Sequence, residues 1–488
     1  VESPFFWIIP VALQGAILGS FLNVVIYRLP LGLSVWKPRW SFCPKCGRRI
    51  AAACNVPIVS WLLLRGRCRE CRAAIPFIYP LVEVACTLLF VAIWDAIYIA
   101  RVVPVAGPMT ATWPVAVAYL LLFACLLVSA AMDLESYTVH IQVALLAIVA
   151  GVLAHATVGP GRRPPAAEAL PPALCIVALA MGAAWMLTWL GRAVFARGWP
   201  GSPVEPAGVD ADPGPSAPEG AEGDPPAAKP DAEEAFHPLP IVALGGLVIL
   251  LMTWQFCLPT GTIFLPGFTG GVQRGFLVCT VFLFMLILVS MVPREADRQI
   301  AADLERERVQ ARPMALRELG EFVPSLLAGV VALVLLRRGG HMDSDWAELV
   351  PRIFHFGGGI GVLAGAMSAI GATILAAALG WAVRILGTLT FGKEAFGTGD
   401  IYLMASIAAV GGVWLVLFGF FIASILALVG VLATLVNKSN RAIPFGPWLA
   451  LGAFVGLWLE STLLTFFRPA GGLVWTMLSG RPGWGGGG

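Results

Sequence analysis

Charge is scarce in this sequence: only 12% of its 488 residues are Asp, Glu, Lys or Arg, while 58% are hydrophobic. With a mean hydropathy of +0.83, that scarcity excludes an ordinary soluble globular protein. Also missing is the period-two alternation of apolar and polar residues that a membrane β-barrel needs. No positively charged segment precedes the first apolar run, so that run is expected to remain as an anchor and not to be cleaved as a signal peptide. No internal repeat is visible.

What is present is a series of continuous apolar runs, each long enough to cross a bilayer as a helix. They lie near residues 5–27, 79–100, 113–132, 139–158, 171–195, 238–257, 273–292, 322–336, 357–388, 413–436 and 447–467, with a run at 401–411 too short to span alone. The expected fold is all-α, a polytopic membrane helix bundle of about ten to twelve spans in a lipid bilayer. Acids are nearly absent between Arg28 and Arg72, where ten basic residues stand against Glu70 alone. Such a segment belongs on the cytoplasmic side, so the first helix runs from outside to inside. These arginines abut two spans directly, which speaks for a membrane surface and against a nucleic-acid partner. Counting crossings from there puts 133–138, 196–237, 293–321, 389–400 and 437–441 on the same side.

The chain divides into a first helix (1–28), a cytoplasmic four-cysteine loop (29–78), a first membrane core part (79–158), an inserted apolar region (159–355), a second core part (356–467) and a tail (468–488). Within the insertion, 197–236 is rich in Pro, Gly, Ala and acids and has too few large apolar side chains to offset ordering entropy. Residues 294–312 are densely charged with mixed sign and read as a short solvated helix.

Of ten cysteines, six stand alone, five of them in apolar runs, where a thiol is a small hydrophobe. Cys43-Pro44-Lys45-Cys46 and Cys68-Arg69-Glu70-Cys71 differ, forming two Cys-x-x-Cys knuckles. Two residues between thiols let both sulfurs turn toward one ion, and two such turns complete a closed structural Zn²⁺ site. A redox pair or no site at all are the alternatives, and a reducing cytosol disfavours cross-links.

Ionisable side chains at membrane depth are costly and therefore functional candidates. Here they are Glu83, Asp95, Asp133, Asp400 and Glu460. For Asp95 and Glu460 pairing or an interfacial position is expected. Asp133 ends a long apolar helix, and Asp400 follows Gly397-Thr398-Gly399, whose small residues let backbone and substrate approach closely.

Several segments together resemble the type IV prepilin peptidase/N-methyltransferase family of GxGD membrane aspartic proteases. They are Gly19 to Pro30, the cysteine loop with Asn55 to Trp61 and Leu64 to Cys68, Tyr79 to Glu83, Asp133-Leu134, Gly397 to Asp400, and Ile443-Pro444-Phe445-Gly446-Pro447. The sequence departs from the family pattern at Cys54 in place of Asp, at Val139-His140 in place of Pro, and at Tyr402 in place of Lys. Its two aspartates also lie more than half the chain apart.

The resemblance implies an enzyme of the bacterial inner membrane that removes the basic leader of type IV prepilins or pseudopilins at the cytoplasmic face, with Asp133 and Asp400 catalytic. It also implies N-methylation of the new amino terminus with S-adenosylmethionine, in type IV pilus or type II secretion assembly. Asp400, at a helix N-terminus, is expected to be the base and Asp133, at a C-terminus, the acid. The rival readings are a proton-coupled transporter, with acids near mid-bilayer, and a non-catalytic assembly protein.

Overall fold

The computed structural model of the chain describes residues 4–157 apart from 104 and 106, 171–195, most of 274–286, 311–346 apart from 345, 360–436 and 444–479. The expected spans at 238–257 and most of 273–292, the acidic segment 197–236, nearly all of 294–312 and the end of the tail lie outside the described residues. Every named element is helical, and among the described residues eight helices are long and apolar enough to cross a membrane. Helices satisfy their own backbone polar groups, which apolar surroundings demand.

After a short 3₁₀ turn, α1 spans Ile8–Arg28. The cysteine loop carries one short helix, α2 (Val59–Leu63), and leads to α3 (Ile78–Trp94), which continues through a π turn at Asp95–Ile99. Then come α4 (Met109–Ser136), the shorter apolar α5 (Ile141–Thr157), α6 (Pro172–Phe195) and α7 (Ala311–Arg338). The chain closes with α8 (Ile360–Phe391), α9 (Thr398–Val436) and α10 (Gly446–Ser479).

The expected division between 401–411 and 413–436 is present: α9 is two helical segments that meet at Gly412, which is not helical and whose φ of 83° suits glycine because no Cβ is in the way. Two boundaries differ from the sequence expectation. Helix α7 begins at Ala311, well before the apolar run, because ion pairs support its charged first turns, including Arg317 with Glu321 at 3.5 Å. Helix α10 continues past residue 467 to Ser479.

Helix α9 is the hub, packing on α10, α8, α5 and α4, while α6 and α7 pack on each other and on α8. The core holds Tyr119, Phe123, Met132, Ile401, Trp448 and Phe454, all almost fully buried. Helices α1 and α3 cross closely, since a Cβ on Gly19 would lie 2.8 Å from the Glu83 Cα. Small residues of this kind let membrane helices pack backbone to backbone.

Candidate active site

Asp133 lies in the last turns of α4, which stops one turn beyond it. Tyr137, in the left-handed conformation, donates its N–H to the Asp133 carbonyl at 3.0 Å. Asp400 lies in the first turn of α9. The two ends meet. Val139, just past α4, sits where a Cβ on Gly399 would be, 2.6 Å away, and the charge of Asp133 acts on Asp400. Both aspartates are buried, at 7% and 9% exposure.

Backbone lies close to both. The Gly446 N–H, at the start of α10, donates to Asp133 Oδ2 at 3.0 Å, and Gly397 stands beside Asp400, where a Cβ on it would lie 3.2 Å from Oδ2. Gly446 must be glycine for a second reason, because a Cβ there would stand 2.7 Å from Asp133 Oδ2. Gly446→Ala should therefore push the carboxylate out of place and cut turnover about a hundredfold, with the fold retained. Steady-state kinetics beside a thermal melt will check this. Sequence reading grouped Gly446 with a matching loop but had no signal for its bond to Asp133.

Glu394 also acts on Asp400 electrostatically and is ion-paired to Arg384 of α8. Arg384, 4% exposed, was missed in the sequence although a buried arginine within an apolar helix is the kind of residue that signals function. The other candidate acids have structural partners or stand apart from this site. Asp95 receives a bidentate ion pair from Arg274 at 2.8 and 2.9 Å, as expected of it. Glu83 Oε2 accepts the Ile58 N–H at 2.6 Å and so anchors the cysteine loop, holding Ile58 at an unusual φ of 62°. Glu460 is buried with its Oε2 unbonded among the described residues.

The four knuckle cysteines converge, their sulfurs all within 4.8 Å of one another. A tetrahedral ion with Zn–S bonds of 2.3 Å asks for sulfurs about 3.8 Å apart, and Cys43 Sγ to Cys71 Sγ is 3.9 Å. The two knuckles share one backbone design. Cys43 N–H donates to Arg48 O and Gly47 N–H to Cys43 O, just as Cys68 N–H donates to Ala73 O and Arg72 N–H to Cys68 O. Backbone N–H groups of Cys71 and Glu70 bring the Cys68 thiol down to about 7. Although the Ala73 amide favours its thiolate, Cys71 is held up at about 11 by slight desolvation and by the neighbouring thiols Cys68, Cys46 and Cys43. Four thiolates this close need a cation between them, so the donor set fits zinc.

The loop and the aspartates share one end of the bundle. Tyr79, at the start of α3, feels both Glu135 of α4 and Cys43. An apolar cavity of about 140 Å³ runs from Leu134, Glu135 and Pro447 past Ile78 and Leu81 to Phe454. A second cleft of about 260 Å³ lies between the loop and helices α1 and α3, lined by Tyr27, Trp61, Tyr79, Glu83 and several arginines.

Residues 13–97, which take in most of α1, the cysteine loop, all of α3 and the start of its π turn, match the family model described as Bacterial Peptidase A24 N-terminal domain. Three curated relatives, each called prepilin leader peptidase/N-methyltransferase, are similar over short stretches. That of Myxococcus xanthus is 54% identical over 78 residues, covering 16% of this chain and 23% of the relative. That of Pectobacterium carotovorum is 41% identical over 110 residues (18% and 39%), and that of Pseudomonas putida 42% over 107 (18% and 37%). These matches support the type IV prepilin peptidase family. The chain spans between about a quarter and two fifths of the length of these family members. Asp133 and Asp400 both lie beyond the matched N-terminal domain. No solved structure matches the chain.

Proposed function

We propose that the chain is a prepilin leader peptidase of the bacterial inner membrane that hydrolyses its substrate with the Asp133–Asp400 dyad at the cytoplasmic face. The observation that carries this reading is the meeting of the two aspartates, half a chain apart in sequence, at the bundle end that also bears the basic cysteine loop. A mid-bilayer proton relay finds less support, because both acids sit at helix ends.

Two close carboxyls share one proton. The ionised one takes a proton from water as the water oxygen attacks the scissile carbonyl, and the protonated one donates to the carbonyl oxygen. Return of a proton to the amide nitrogen releases the new amino terminus, with no acyl-enzyme. The helix ends favour negative charge on Asp400, while the Gly446 amide donates to Asp133, so the pair is best written with its proton shared. Gly397, Gly399 and Gly446 leave room for an extended backbone beside the acids. The apolar cavity beginning at Leu134 suits the hydrophobic helix that follows a prepilin leader.

N-methylation belongs to the cleft beside the cysteine loop. Its residues fit S-adenosylmethionine: rings of Trp61, Tyr27 and Tyr79 for the base, and Arg48, Arg49 or Lys45 for the carboxylate. Bound there, that cofactor supplies an activated methyl group. Cys43, Cys46, Cys68 and Cys71 would hold a zinc ion, which would cross-link the two knuckles that form the cleft wall.

Co-expression with a prepilin, followed by mass spectrometry of its amino terminus, reads both activities at once. A shortened product carrying one added methyl group is expected. An intact leader would remove the peptidase reading, and a shortened but unmethylated product would remove the methyltransferase.

A further inference from the structure

Arg384 is bonded to two different parts of the chain at once. Its Nε donates to both carboxylate oxygens of Glu318 at 3.2 and 3.1 Å, and Glu318 belongs to α7, a helix of the insertion. Its Nη1 donates to Glu394 and, at 2.7 Å, to the carbonyl of Phe396. Those two residues lie in the short connection that ends at Gly397, which packs directly beside Asp400 Oδ2. The ring of Phe396 packs on Phe445 with centroids 5.6 Å apart, and Phe445 precedes Gly446, the donor to Asp133. A continuous set of contacts therefore runs from the insertion to both carboxylates. A guanidinium suits this place, because its planar donors engage a carboxylate in fork geometry and still reach a carbonyl.

We infer that Arg384 is a positioning residue for the dyad and that the insertion, through Glu318, is what holds it in register. The inference rests on the peptidase reading for its catalytic part but not for its structural part. Arg384 fixes the backbone at Phe396 and partners Glu394, whose charge otherwise faces Asp400 alone. Glu318 locks the guanidinium in that orientation. The inserted helices thus serve as an internal brace, seated on α8, for a loop that has few other ties; one of them is the Ala395 N–H, which donates to Thr388 Oγ1 at 3.2 Å. A catalytic group displaced by a fraction of an ångström loses much of its rate advantage, so the brace is read most directly in turnover.

The test uses the full chain in detergent or bilayer, with Glu318→Gln as the main variant, because it removes the ion pair while keeping shape. Arg384→Lys, which keeps charge and loses the fork, is the second variant. Glu321→Gln on the same helix controls for loss of an acid. Amide hydrogen exchange across 392–399 should quicken in the first two and not in the control. Turnover on a prepilin substrate should fall about ten- to a hundredfold with KM little changed. Unchanged exchange at 392–399 in Glu318→Gln overturns the brace, and faster exchange with full turnover overturns the positioning role. Should the unsubstituted chain cleave nothing while Glu318→Gln still loosens the loop, the brace is supported and the peptidase reading falls.

Discussion

Asp133→Asn and Asp400→Asn should each lower prepilin cleavage by at least the 10²- to 10⁴-fold, roughly, that a positioned acid or base contributes, leaving the helical fold intact. The effect is large because neither carboxyl can stand in for the other. With one amide in the pair, no proton can be taken from water and returned to the carbonyl within the same site. Asparagine keeps the shape and can still accept the Gly446 N–H that Asp133 Oδ2 accepts, so a collapse of packing is not the expected cause. Cleavage assayed beside circular dichroism separates chemistry from folding. Substantial activity in either variant would end the aspartic-peptidase reading. The double variant should be no worse than either single one, since residues acting as a unit are not additive.

Replacing Cys43 or Cys68 by Ser should reduce bound zinc from about one per chain to nearly none. Apparent binding energies of structural zinc are on the order of 10–16 kcal/mol and act as folding energy for the segment that binds it. Apart from the thiols, the loop is tied down by the Arg28 guanidinium, which donates to the carbonyls of Ser34, Val35, Pro38 and Trp40, by Glu83 at Ile58, and by Trp61 against Phe77. Limited trypsin digestion should then cut within Arg65 to Arg72, and N-methylation should fall with it. Atomic absorption on purified protein, paired with the digestion pattern, decides the matter. Zinc content unchanged in both variants would exclude the four-thiol site.

The helical bundle was legible because hydropathy is dictated by lipid and hardly depends on tertiary context. The knuckles were legible because metal geometry is written in the Cys-x-x-Cys spacing. The residues that shape the site around the aspartates were less so. Arg384 stands in an apolar run where a lone positive charge has no visible partner, and its partner Glu318 belongs to a helix whose charged first turns fall below a hydropathy threshold. Gly446 acts through its amide, which every non-proline residue possesses, so no side chain announces the role. Glu83 was visible as a costly acid, but only the fold shows that it anchors Ile58. The knuckles' shared hydrogen-bond design is likewise silent in sequence, since Arg48 and Ala73 occupy equivalent places through their carbonyls.

The long interval between Asp133 and Asp400 also has a consequence in time. At roughly 5–20 residues per second, a ribosome that has made α4 takes on the order of tens of seconds more to reach α9, and Gly446 emerges later still. Until α10 is in place, Asp133 lacks its amide donor. On the proposed reading, a chain still being inserted therefore cannot cut a peptide, and a product that stops before α9 has the cysteine loop and Asp133 but not the second aspartate.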